Sequence, residues 1–193
     1  MVAVRRRGME TLRVWGSALA LGLLLVVTLE ACGDSDTVTN RPERPAEDFV
    51  PEATDFRNIH TMTPVRGFFI DNRLGHLDEA LEVANSPDGG EYPVGTIIQL
   101  VPQEAMVKRR AGFSKATGDW EFFFLSVSPE GTVIEVRGKD EVVNRFGGNC
   151  ASCHSLAEPE FDFVCEQDHG CDPLPIGRDI INAVQEADPR PLT

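Results

Sequence analysis

Leu74, Leu77, Ala80, Leu81 and Ala84 fall three and four positions apart, the spacing that lines one face of a helix. They predict a short amphipathic helix over residues 74–85, ended by the breaker run Ser86-Pro87-Asp88-Gly89-Gly90. The pattern then changes. Gly95-Thr96-Ile97-Ile98-Gln99-Leu100-Val101 is rich in β-branched side chains and stops at Pro102, which predicts a strand. Residues 120–127 are almost wholly aromatic and aliphatic. Trp120, Phe122 and Phe124 fall on one face of that strand, and Phe123, Leu125 and Val127 on the other. A strand apolar on both sides must be covered twice: by the core on one side, and by a prosthetic group, a partner subunit or helices on the other. Ser128-Pro129-Glu130-Gly131 is a turn signal and residues 132–137 alternate apolar with polar, so this stretch predicts an antiparallel hairpin. A short helix over residues 142–146 leads through Gly147-Gly148, and a closing helix covers residues 178–187. There is no internal repeat.

The N-terminus has a different character. Arg5, Arg6, Arg7 and Arg13 precede an uncharged run over residues 14–29. That run is shorter than the roughly 20 apolar residues of a spanning helix, so residues 1–31 read as an export signal. It closes in Leu29-Glu30-Ala31-Cys32, which resembles the lipobox of bacterial lipoproteins, with Glu30 where a small uncharged residue is usual. The resemblance implies cleavage before Cys32 and lipid attachment to its thiol. The alternative is ordinary cleavage nearby, leaving Cys32 as an odd free thiol. Residues 32–53 are rich in Asp, Thr, Pro and Glu and read as a flexible tether. Residues 54–193 are then one domain with its own core.

The chemistry is concentrated late in the chain. Cys150-Ala151-Ser152-Cys153-His154 is a complete Cys-x-x-Cys-His run, the attachment signature of a c-type haem. Cys150 and Cys153 are the expected thioether sites for one covalent haem c, and His154 is the expected axial ligand of its iron. Cys165 and Cys171 remain, a natural disulfide in an oxidising compartment. All five cysteines thereby receive a role. Two rivals share the pattern. Cys150, Cys153, Cys165 and Cys171 have roughly zinc-site spacing, and Cys-x-x-Cys also occurs in thioredoxin-like redox pairs.

The sixth iron position divides two functions. Met62 and Met106 are the only methionines after the leader, and both lie upstream of the motif. Either one as ligand would make a six-coordinate electron carrier, whereas both as core filler leave an open position for small molecules. His60 and His76 lie in polar surroundings and read as surface or capping residues. His169, between Cys165 and Cys171, reads as a structural hydrogen-bonding group or a partner for a haem propionate.

Charge narrows the partners. Removing residues 1–31 takes four of the 18 basic and two of the 31 acidic residues, which moves the net charge from −13 to −15. This excludes nucleic acid and leaves only the N-terminal lipid to hold a membrane. It suits a basic redox partner protein, and equally a solvated acidic surface.

Several segments together resemble the cytochrome P-460 family. They are Tyr92-Pro93-Val94-Gly95-Thr96-Ile97-Ile98, Ala105-Met106-Val107-Lys108, Gly118-Asp119-Trp120-Glu121-Phe122-Phe123, Gly148-Asn149 with the haem motif, and Asp162-Phe163-Val164. The resemblance covers about residues 56–165. It implies an α+β fold, mainly antiparallel sheet with short helices, and a homodimer. It further implies a five-coordinate haem c with an open distal side. Some members oxidise hydroxylamine and carry a lysine bonded to the porphyrin edge. Their relatives, the cytochromes c′-beta, bind nitric oxide and carbon monoxide in an apolar pocket. The lysine's place falls near Leu100, and residues 97–101 contain none. Lys108 belongs to a later motif and, with Arg109 and Arg110, reads as a solvated basic turn. The expected protein is exported and lipid-anchored on the periplasmic side of a bacterial membrane. It binds or redox-processes a small nitrogen oxide of the nitric oxide class. Trp120, Phe122, Phe123 and Phe124 are the candidates for its apolar wall.

Overall fold

A computed structural model of the chain describes residues 47–192, apart from Phe146. The leader, the Cys32 lipid site and the tether up to residue 46 lie outside the described residues. Six strands form one antiparallel sheet in which each pairs with its sequence neighbour. They are β1 (Thr63–Val65), β2 (Phe68–Asn72), β3 (Thr96–Gln99), β4 (Glu104–Lys108), β5 (Trp120–Ser128) and β6 (Gly131–Gly138). Three short α-helices accompany them: α1 (Leu77–Asn85), α2 (Cys150–His154) and α3 (Arg178–Glu186). The expected α+β class, mainly antiparallel sheet with short helices, is what forms.

The expected hairpin is β5–β6, closed with Ser128 opposite Gly131. β1, β2 and β4 were not anticipated. β1 holds a proline at the sheet edge, and β4 carries a charged residue at each end. α1 begins at Leu77 rather than at 74, because the Asn72 side chain accepts hydrogen bonds from the Leu74 and His76 amides at 2.9 and 3.1 Å. That turn uses the residues that would have formed the first helical turn.

The helix expected over residues 142–146 does not form among the described residues. Val143 instead makes an antiparallel bridge to Asn149, and the Cys150 amide donates to the Val142 carbonyl at 3.0 Å. Two adjacent glycines favour this reversal, with Gly147 in a left-handed conformation at φ 81°. The closing helix is present as α3, docked on the β1–β2 turn. There the Gly67 carbonyl accepts from Arg178 and Gln185, and a side chain on Gly67 would collide with the Arg178 guanidinium.

Each face of the sheet carries its own core. Ile70, Ile98, Met106 and Phe122 stand in one cross-strand row on the first face, under Ala80 and Ala84 of α1 and beside Tyr92, Val142, Ala151 and Val164. Ile97, Ala105, Val107, Phe123 and Leu125 form the second, under Phe56, Ile59 and Met62. β5 is therefore covered twice, as its composition requires, and both covers come from this chain. Phe56 and Phe123 hold ring centroids 4.8 Å apart.

Two sequence expectations are corrected on these faces. The basic run is not a solvated turn: only Arg110 is exposed, while Lys108 and Arg109 are 2% and 6% exposed. Arg109 pairs with Glu121 and Asp48, and Arg137 pairs with Glu121 at 2.7 Å, so buried charges on the second face are matched. Asp48 is held below the ordinary carboxylate range chiefly by its hydrogen bond from Arg109. Residues 47–53, assigned by composition to the tether, thus belong in part to the folded body.

The second core sets a stability expectation. Phe123→Ala empties a fully buried site and should lower the unfolding free energy by about 3–5 kcal/mol. Val133→Thr, at a position 58% exposed, should change it by less than about 0.5 kcal/mol. Urea unfolding followed by tryptophan fluorescence measures both.

Candidate haem-attachment site

α2 carries the motif, and a helix of five residues cannot hold itself in place. The Asn149 side chain caps its start, accepting from the Ser152 amide at 2.8 Å. Ala151 is buried in the first core between Val142 and Val164, one on each side of the motif in sequence. Cys150 and Cys153 stand three residues apart on this single turn, and both are free thiols. Cys150 is half-buried, and its pKa is pushed up to about 11 by burial first and by the nearby Glu104 carboxylate second. Glu104, itself raised by burial, accepts the Arg145 amide. Cys153 is exposed.

His154 ends the helix with its ring 5.2 Å from that of Phe122. Its Nδ1 lies 2.7 Å from the Phe163 carbonyl oxygen. A carbonyl only accepts, so the proton sits on Nδ1 and the lone pair on Nε2. Burial lowers the pKa of this imidazole, which keeps it neutral near pH 7. Among the described residues Nε2 has no hydrogen-bond partner, and the residue is half-buried. A neutral imidazole with one nitrogen oriented and the other free is the form that ligates a metal. The donor set therefore fits a haem held by two thioethers and one histidine.

The Phe163 carbonyl is aimed by an unusual stretch of backbone. Asp162 and Phe163 both adopt left-handed conformations, at φ 47° and 65°. Each such residue costs about 1–2 kcal/mol and persists only where its surroundings over-determine it. Here they do. Lys108 Nζ donates to both Asp162 carboxylate oxygens and to the Gly118 carbonyl, all at 2.8 Å. Trp120 Nε1 donates to the Asp162 carbonyl at 2.7 Å, and the Tyr92 amide donates to its carboxylate at 2.8 Å. Burial raises the Asp162 pKa against the pull of Lys108.

The disulfide expected between Cys165 and Cys171 is at bonding distance, and Cys165 Sγ lies 3.3 Å from the Cys153 carbonyl oxygen. Two of the four sulfurs a zinc site would need are thus joined to each other. Among the described residues no strand leads into Cys150, as a thioredoxin-like pair would require. His169 stacks on Phe161 with centroids 3.7 Å apart and donates from Nδ1 to the Val164 carbonyl at 2.9 Å, a structural role. His60 is exposed and His76 is the N-cap of α1.

The remaining candidates separate by face. Trp120, Phe122 and Phe124 share the face of His154, whereas Phe123 lies in the second core and is not part of a wall there. Met62 is across the sheet from His154, and Met106 is packed in the first core at 4% exposure. A groove of about 530 Å³ runs past Phe124, Ser126 and Val136. No protein-family model, curated protein or solved structure matches the chain.

Lys108, Asp162 and Phe163 entered the sequence reading only through segments of the resemblance, with no role toward His154. The signal for Lys108 is strand alternation, since Lys108 shares a face with Met106. The carbonyl leaves no signal, because hydrogen-bond acceptors on the main chain are common to every residue type.

Thiol chemistry tests this geometry. At about pH 8 in the haem-free chain, Cys153 should react with iodoacetamide roughly tenfold faster than Cys150, which is half-buried and carries little thiolate. Peptide mapping by mass spectrometry reads both rates, and equal rates would contradict the arrangement.

Proposed function

We propose that this chain is an exported mono-haem c-type cytochrome of the cytochrome P-460 class, with an open iron position that binds a small nitrogen oxide. The observation that carries this reading is the hydrogen bond from His154 Nδ1 to the Phe163 carbonyl. It leaves Nε2 as the free donor atom on the same helical turn as two free thiols. Cys150 and Cys153 form the thioether links, and His154 supplies the axial nitrogen. The bound haem contributes an iron that coordinates neutral diatomic molecules and exchanges one electron. Phe124, partly exposed, supplies apolar surface on that side of the sheet, which disfavours charged ligands, while Trp120 and Phe122 are buried in the core behind it.

Two observations favour ligand binding over the alternatives. Both methionines that could close the sixth position are core residues, and Met62 lies behind the sheet. The lysine needed for a porphyrin cross-link is missing from residues 97–101. Lys108 cannot stand in for it, because all three of its ammonium hydrogens are engaged. Hydroxylamine oxidation is accordingly the weaker assignment. Export, the Cys32 lipid and a homodimer belong to the same proposal, and no described helix is long and apolar enough to cross a membrane.

The test is optical. Mature protein from a host competent in cytochrome maturation should carry covalent haem by mass and show a high-spin ferrous spectrum that shifts on adding carbon monoxide or nitric oxide. Colourless protein would overturn haem attachment. A sharp low-spin α band indifferent to carbon monoxide would instead establish the electron carrier. Cys150→Ser with Cys153→Ser should abolish covalent attachment.

A further inference from the structure

We propose that the buried Lys108–Asp162 ion pair is a positioning device that holds the Phe163 carbonyl against His154 and so sets the tautomer and donor strength of the axial imidazole. The chain of contact is short. Lys108 reaches from β4 to both Asp162 carboxylate oxygens at 2.8 Å, with the two side chains 3% and 11% exposed. Asp162 is also pinned through its backbone by Trp120 and through its carboxylate by the Tyr92 amide. The next residue, Phe163, lies over Gly118, where any side chain would come within 2.7 Å of its ring. Two successive left-handed residues turn the main chain here, and this turn presents the Phe163 oxygen to His154 Nδ1 at 2.7 Å.

A deeply buried ion pair is weak evidence of a stabilising role, since apolar pairs of similar volume often serve as well. Its geometry serves direction instead: both charges are spent on fixing one peptide unit. A stronger hydrogen bond from Nδ1–H makes the imidazole a more basic ligand and favours the oxidised metal. Without the clamp, the left-handed turn relaxes and the carbonyl leaves its place.

The role toward iron rests on the haem proposal, whereas the effect on the histidine tautomer does not. Lys108→Met and Asp162→Asn are the test variants, with Phe123→Leu as a control that weakens the opposite core. In the haem-free chain, nitrogen-15 NMR should find His154 as the Nδ1–H tautomer, with loss of that preference in both test variants and none in the control. In the haem-loaded chain, both should keep covalent haem. They should also show a lower iron–histidine stretching frequency by resonance Raman and a more positive reduction potential. Wild-type tautomer and stretching frequency in both test variants would overturn the proposal. So would equal changes in Phe123→Leu, because the effect would then be general loosening. The double variant Lys108→Met/Asp162→Leu separates the roles further: recovered stability with the altered tautomer supports positioning, and recovery of both refutes it. If the wild-type chain acquires no haem, the haem proposal fails and the tautomer measurement still decides this one.

Discussion

One hydrogen bond gives the late motif its meaning. Cys-x-x-Cys-His in a sequence specifies which atoms could bind a haem, but a histidine ring is free to rotate and to carry its proton on either nitrogen. The Phe163 carbonyl removes both freedoms at once, because an acceptor can be satisfied only by Nδ1–H. The arrangement depends on main-chain geometry. That geometry is costly by itself, with Asp162 and Phe163 both left-handed, so the neighbouring side chains must enforce it. Sheet, ion pair and His154 are thus links in one physical sequence that starts at β4 and ends at Nε2.

Much of this was legible in the residues, and the parts that were not share a cause. The hairpin, the closing helix, the two-faced character of β5 and the Cys165–Cys171 pair follow from local pattern and simple counting. Residues 142–146 were misread because an apolar stretch this short fits a helix or a reversal equally, and the glycines after it decided for the reversal. Lys108 and Arg109 were misread because composition treats adjacent basic residues as solvated. Each is in fact buried against an acid distant in sequence, Lys108 against Asp162 and Arg109 against Asp48 and Glu121. A buried charge is a tertiary fact. Its partner can lie 54 residues away, as Asp162 does from Lys108, and nothing local marks the pairing.

The two faces of β5 divide the labour of the fold. The second face buries Phe123 and Leu125 with the Arg109–Glu121–Arg137 cluster, and no group of the motif approaches it. The first face does both jobs. Its row of Ile70, Ile98, Met106 and Phe122 supports the sheet, and the same Phe122 ring lies beside His154. Substitutions on the second face should therefore report on stability alone, and those on the first on stability and the site together. This asymmetry is what makes a control on the second face informative.

The weakest element of the molecule is also the one with the most chemistry. α2 has five residues, far fewer than an isolated helix needs, so every constraint on its two thiols and its imidazole is imported. Upstream, the reversal at 143–149 delivers Cys150 with its amide bonded to Val142. Downstream, the short loop closed by Cys165 and Cys171 keeps the segment carrying Phe163 beside the Cys153 carbonyl. A closed loop of this size stabilises by roughly 2–3 kcal/mol by restricting the unfolded chain. Here it also limits how far the Phe163 peptide can drift from α2. Attaching a rigid porphyrin at Cys150 and Cys153 would add a third constraint of the same kind. On this reasoning a haem bound there would complete a site that the chain has already oriented, because His154 is held by the Phe163 carbonyl without it.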